Sequence, residues 1–121
     1  MEPVSLAMPS HVLSVVCYID IVSIYNMRYT WTDEKYRDNL RHHHIAFEDA
    51  IRIFEGPTVE RVDDRFDYGE VRVYAIGLVN GLEMTVIYTE RDDNERRIIS
   101  AWRAEPHERR YYWQHLERLE G

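Results

Sequence analysis

Several scarcities bound what this 121-residue chain can be. Cysteine occurs once, at Cys17, which excludes an internal disulfide and a cysteine-based zinc cage and fits a reducing compartment. Lysine also occurs once, at Lys35, so cationic chemistry rests on arginine, whose planar fork suits bidentate phosphate contacts. A bilayer span of roughly 20 apolar residues is lacking. The candidate anchor, "HVLSVVCYIDIVSIY", has no cationic n-region and contains Asp20, which argues against secretion or a membrane anchor. There is no Gly-rich phosphate loop and no G-x-S-x-G elbow, so nucleotide hydrolysis and serine chemistry have no support. Positive charge is short overall, with a formal net charge of −7. A nucleic-acid partner would therefore need locally clustered cations.

The length suits one domain with a modest core. Charge is segregated along it: residues 55–70 carry six acids against Arg61 and Arg65, whereas residues 96–118 carry six arginines against Glu105, Glu108 and Glu117. Composition also breaks near Met27. Residues 1–26 contain no Lys or Arg and only Glu2 and Asp20 as acids. Two readings fit residues 1–26: an extra element packed on the domain, or an extension read from an upstream start codon, with 27–121 as the natural domain. The second is preferred because the segment opening at Met27 reads as complete.

"MRYTW" is a short strand candidate, and "TDEKYRDNLRHHH" reads as a helix capped by Thr32 or Asp33. Its acids lie in the first turn and its histidines in the last, as the helix dipole favours. Phe47, Ala50, Ile51 and Phe54 recur at i, i+3, i+4 and i+7, predicting a second helix that Gly56-Pro57 ends. "EVRVYAIGLV" and "LEMTVIYTER" flank Asn80-Gly81, a type I′ hairpin signal that sets Val79 opposite Leu82. One face then collects Val73, Ala75, Gly77, Val79, Leu82, Met84, Val86 and Tyr88, for helices to cover. The other collects Arg72, Tyr74, Ile76, Glu83, Thr85, Ile87 and Thr89, with Arg91 diagonal to Arg72, and is expected to stay open. "RRIISAWR" is a further strand of unfixed register. "EPHERRYYWQHLERL" closes the chain as a helix with Pro106 in its first turn. The acidic 55–70 run reads as a solvated loop.

His42, His43 and His44 raise the question of a metal. Adjacent helical residues point about 100 degrees apart, whereas zinc sites take ligands at geometric spacings, so no metal is expected. Lys35, Asn39 and His42 form a polar line at i, i+4 and i+7, with His43 at its border with the Tyr36/Leu40 face. A capped surface helix with helix-end histidines explains the same residues, and spacing leaves both readings open.

In order, "YTWTDEK...N..HHHIAFEDAIRIF", "YGEVRVYAIG", "VIYTER", "RIISAWRA" and "ERRYY" resemble the BrnT toxin family over about residues 29–118. That family is the ribonuclease half of a bacterial type II toxin–antitoxin pair. Its pattern falls on Trp31, Lys35, Asn39, His43 and Phe47; on Glu70, Arg72 and Ile76-Gly77; and on Thr89, Arg91, Arg97–Ser100 and Glu108–Tyr111. Thr32 stands at a usual Asp, His42 at a usual Lys, His44 at a usual Gly, and Trp102 where relatives often carry a cation. The resemblance implies an α+β, RelE-like fold, with an antiparallel sheet packed by two N-terminal helices and a C-terminal helix. It implies a cytoplasmic, metal-independent ribonuclease with no cofactor, paired with a BrnA-like ribbon-helix-helix antitoxin through which alone the complex meets DNA. Such cleavage uses the RNA 2′-hydroxyl as nucleophile. His43 would move the proton, with Lys35, Arg72, Arg91 and Arg97 holding the phosphate on the open sheet face. The alternative is a degenerate toxin that only binds its antitoxin in transcriptional autoregulation, which Trp102 and the net charge favour.

Overall fold

The computed structural model describes residues 16–19, 27–91 and 94–120. Its elements are β1 (Val16–Ile19), β2 (Arg28–Thr32), α1 (Asp33–His43), α2 (Phe47–Ala50) running into a 3-10 turn (Ile51–Glu55), β3 (Val59–Val62), β4 (Val73–Val79), β5 (Leu82–Glu90), β6 (Glu95–Arg103) and α3 (Pro106–Glu120). The architecture is α+β, and the strands form one six-stranded sheet in the order β1-β2-β6-β5-β4-β3. The expected all-antiparallel sheet is corrected at one position: β2 runs parallel to β6. Buried Glu95 fastens that pair, accepting from Thr30 Oγ1 at 2.7 Å and from Arg28 at 3.4 Å. Of residues 1–26 only β1 is described, paired antiparallel to β2. The start-codon reading otherwise falls outside the described residues.

Local chemistry sets the element ends. Thr32 caps α1, its hydroxyl accepting from Lys35 N at 3.2 Å, which satisfies one of the helix's free first-turn donors. The hairpin turn has φ of 52° at Asn80 and 79° at Gly81, the left-handed pair that a type I′ turn requires. Val79 pairs with Leu82. The predicted second helix is α-helical only to Ala50 and then tightens into 3-10 geometry. It lies hard against β4: a Cβ on Gly77 would come within 2.8 Å of Ile53 Cβ, so only glycine admits this approach. Val59–Val62, read as loop, is an edge strand; Val59 alone of the four is buried, which leaves no alternation to detect.

Two apolar layers sandwich the sheet. On one side α1, α2 and the 3-10 turn bury Phe47, Ala50 and Ile53 against Trp31, Ala75, Val86, Ile98 and Ala101. Trp31 stacks on Tyr36 at 5.8 Å and meets Phe47 edge-on at 5.6 Å. Each such side chain contributes roughly 1.5–3 kcal/mol on burial. On the other side α3 lays Tyr112 and Leu116 over Val59, Tyr74, Ile76 and Ile87. The sheet face expected to be open is therefore largely covered by the C-terminal helix, because Tyr74, Ile76 and Ile87 supply enough apolar area to hold it. Functional groups are confined to the margins of that face.

Candidate active site

The three histidines have three separate fates, all set by the end of α1. His42 Nδ1 donates to the Asp38 carbonyl at 2.9 Å, which leaves Nε2 outward. His44 ends the helix in the left-handed region (φ 60°, ψ 31°), its N–H donating to Leu40 O at 3.0 Å. Glycine adopts that conformation without strain, and a histidine does not. His43 is exposed and lies 5.7 Å from the Trp102 ring of β6.

Asn39 fixes α1 against β6. It is 4% exposed, so the middle member of the polar line Lys35–Asn39–His42 is taken up by the sheet. Asn39 Oδ1 accepts from Ala101 N at 3.0 Å and Ser100 Oγ at 3.2 Å, while Nδ2 donates to Ala101 O at 2.9 Å and Ile45 O at 3.0 Å. The amide thus pairs with β6 as a neighbouring strand would. It does so beyond Thr30–Arg97, the last pair that β2 makes with β6.

This docking shapes a small open cleft of about 190 Å³ lined by Lys35, Asp38, His42, His43, Ile99 and Ser100, with Asn39 at its floor. Lys35 is exposed and has no carboxylate within 4 Å among the described residues. Asp38, the cleft's carboxylate, is paired with Arg41 at 3.2 Å. Ser100 escaped the sequence reading as a site residue because only a tertiary contact brings it to α1. Ile99, beside it, sits at the irregularity where β5 pairing jumps from Ile87–Ser100 to Tyr88–Ile98.

The arginines expected around His43 gather elsewhere. Thr89 pairs with Arg97, placing Arg97 on the same face as Ser100 but further toward the strand start. A second, larger cleft of about 690 Å³ is lined by Arg91 and Arg97 together with Glu70, Glu90 and Glu95. Arg97 is engaged by Glu95 at 3.5 Å. Arg72 binds Glu70 at 3.1 Å and lies 4.0 Å over the Tyr68 ring. Arg91 is exposed and has no ion pair among the described residues. Lys35 and His43 thus share one cleft, Arg91 and Arg97 another, and Arg72 lines neither; neighbouring acids hold two of the three guanidiniums.

Behind Trp102 lies Glu108, a buried carboxylate that sequence reading treated only as part of a motif. It accepts from Trp102 Nε1 and Thr85 Oγ1, both at 3.1 Å, and from Glu105 N at 2.7 Å. The last bond closes the start of α3 in the manner of a capping box. Burial pushes the Glu108 carboxyl above the usual carboxylate range, opposed by the Glu105 N–H and by Arg61 and Arg65.

An imidazole, an ammonium and a hydroxyl thus line one open cleft of a small α+β domain. The chain belongs to the BrnT family: residues 31–108 match the description "Ribonuclease toxin, BrnT, of type II toxin-antitoxin system". The matched segment runs from buried Trp31 to buried Glu108. Membership implies an RNA target and an antitoxin partner at the level of the family. The chain is also similar to the crystal structure of the Brucella abortus ribonuclease toxin BrnT, at 25% identity and a TM-score of 0.48, over 62% of this chain and 92% of that one. Comparison with curated protein sequences yields no match. Among the described residues no helix is long and apolar enough to cross a membrane.

Proposed function

We propose that this chain is a metal-independent, RelE-like endoribonuclease toxin that cuts RNA at the Lys35–His43 cleft and is neutralised in the cytoplasm by a BrnA-like ribbon-helix-helix antitoxin. The observation that carries the proposal is the grouping of Lys35 and His43 in one open cleft on a chain that has a single lysine. In the reaction the 2′-oxygen attacks the adjacent phosphorus, the P–O5′ bond breaks, and a 2′,3′-cyclic phosphate and a 5′-hydroxyl result. His43 takes the 2′-hydroxyl proton while solvent water protonates O5′, or His43 protonates O5′ while water takes the 2′-hydroxyl proton, a role that suits an imidazole. Lys35 balances the charge that grows on the non-bridging oxygens. Arg91 is the cation of the neighbouring cleft left free to hold a flanking phosphate. Arg72 and Arg97 are paired with Glu70 and Glu95 and leave phosphate binding to Lys35 and Arg91. The cleft's one carboxylate, Asp38, is paired with Arg41, a poor donor set for the oxygen-rich coordination of magnesium. Contact with DNA falls to the antitoxin.

The test is cleavage of RNA by purified protein in the presence of a chelator, with product ends mapped. Cyclic phosphate ends are expected. Intact RNA, combined with tight antitoxin binding and promoter repression by the complex, would instead identify a degenerate toxin serving autoregulation.

A further inference from the structure

The register of β3 carries a consequence for the acidic segment. Arg61 pairs across from Tyr74, and its guanidinium sits 4.8 Å over the Tyr74 ring and 4.9 Å over that of Tyr111 on α3. Residues 55–70 hold six acids, yet Arg61 makes no ion pair among the described residues. Two rings hold it instead, which leaves its N–H edge available. Arg65, by contrast, is bound bidentately by Asp63 at 2.8 and 2.9 Å. Its guanidinium lies 5.9 Å from Tyr74 and 6.0 Å from Trp102. Trp102 meets Tyr74 edge-on at 6.3 Å and His43 at 5.7 Å. From the His43 cleft, then, an unbroken strip runs through Trp102, Tyr74 and Arg61 to Tyr111. Tyr74 is its buried floor, Trp102 and Tyr111 are half-buried, and Arg61 and Arg65 are exposed.

Aromatic planes interleaved with guanidiniums suit one ligand chemistry in particular. Unpaired bases stack on the rings and phosphates meet the cations, whereas a duplex keeps its bases stacked on one another. We propose that this strip seats the single-stranded RNA segment flanking the phosphate at His43, with Trp102 stacking the nearest base and Arg61 pairing a phosphate beyond it. The proposal rests on the assignment of the cleft as the cleavage site. It makes Trp102 a substrate-positioning residue rather than a sign of lost activity, and it gives the acid-rich chain one guanidinium, that of Arg61, unpaired by any acid among the described residues.

The probe is a fluorescein-labelled 12-nucleotide 2′-O-methyl RNA, uncleavable by 2′-hydroxyl attack, offered as a single strand and as a blunt duplex, with binding read by anisotropy at fixed salt. The single strand is expected to bind the tighter. Arg61→Ala and Trp102→Ala should each weaken it about 5- to 30-fold, and Trp102→Phe, which keeps a ring but not the N–H to Glu108, should recover most of the loss. Thermal melts of each variant separate misfolding from lost contact. Equal binding of the duplex, unchanged affinity in a folded Arg61→Ala protein, or loss of antitoxin binding without loss of RNA binding would overturn the strip. If the variants bind normally while wild-type cleavage persists, the cleft assignment survives alone; if they lose affinity while the wild type cuts nothing, the strip survives and the cleft assignment fails.

Discussion

Replacing Asn39 by leucine keeps the side-chain volume close to its original value and removes four hydrogen bonds at once: two to the Ala101 backbone, one to Ile45 O and one from Ser100 Oγ. Each bond contributes roughly 0.5–1.5 kcal/mol net, and the orphaned Ala101 groups bring a desolvation cost of their own. The loss of the four bonds alone amounts to roughly 2–6 kcal/mol, a large part of the roughly 5–15 kcal/mol that holds a domain together. Urea unfolding followed by circular dichroism reads it as a drop in midpoint at constant slope. Asn39→Ala should do no worse than add a cavity term, so the two variants should lie close together. Because the same bonds hold α1 on β6, RNA cleavage should fall in parallel as Lys35 and His43 lose their placement over Ser100. A leucine variant within about 0.5 kcal/mol of wild type would refute the reasoning, since packing alone would then hold the helix.

Other substitutions test single features. His44→Gly should stabilise by about 1 kcal/mol, because a side chain at φ 60° is strained where glycine is not; an unchanged urea midpoint would count against the cap. Gly77→Ala should destabilise by roughly 1–3 kcal/mol, since the added methyl would meet Ile53 Cβ at 2.8 Å. Asp63 is held below the usual carboxylate range chiefly by the Arg65 guanidinium. Its contribution is therefore present above the unfolded value near pH 3.9 and lost as pH falls through the folded one. Asp63→Asn should lower stability at pH 7, and the difference should shrink as pH falls below about 3.9, by urea midpoints. Glu108 has the opposite sign: burial raises it, so its contribution is full below about pH 4.3 and declines as pH rises through the raised value. The stability difference between wild type and Glu108→Gln should shrink or reverse between pH 4 and pH 7, and a difference flat across that range would contradict the buried charge.

What was legible in the sequence was mostly local. Asn80-Gly81 dictates its hairpin because both residues accept positive φ, and the Phe47, Ala50 and Ile51 stripe points inward because its period matches a helix. Gly77, matched only as part of a motif, owes its place to Ile53, which no local pattern reveals. The parallel β2–β6 pair joins Thr30 to Arg97 across most of the chain, and nothing near either strand encodes it. Val59–Val62 carries too little alternation to distinguish it from the loop-like acidic run, so the register that sets Arg61 on Tyr74 has no local signal. The open sheet face was misjudged because residue polarity alone did not show that Tyr74, Ile76 and Ile87 suffice to seat α3. The helix period and the family pattern together single out His43 and Lys35, and the fold sets both on one cleft. The division of the arginines between clefts depends on Glu70 and Glu95, whose positions only the fold supplies.

In the proposed reaction His43 transfers a proton in RNA cleavage at its cleft. The single-turnover cleavage rate of one RNA by wild type and by His43→Ala, each shown to be folded, measures that transfer. A loss of at least about 100-fold is expected, the usual contribution of a general acid or base. A His43→Ala protein that cuts at the wild-type rate would contradict it.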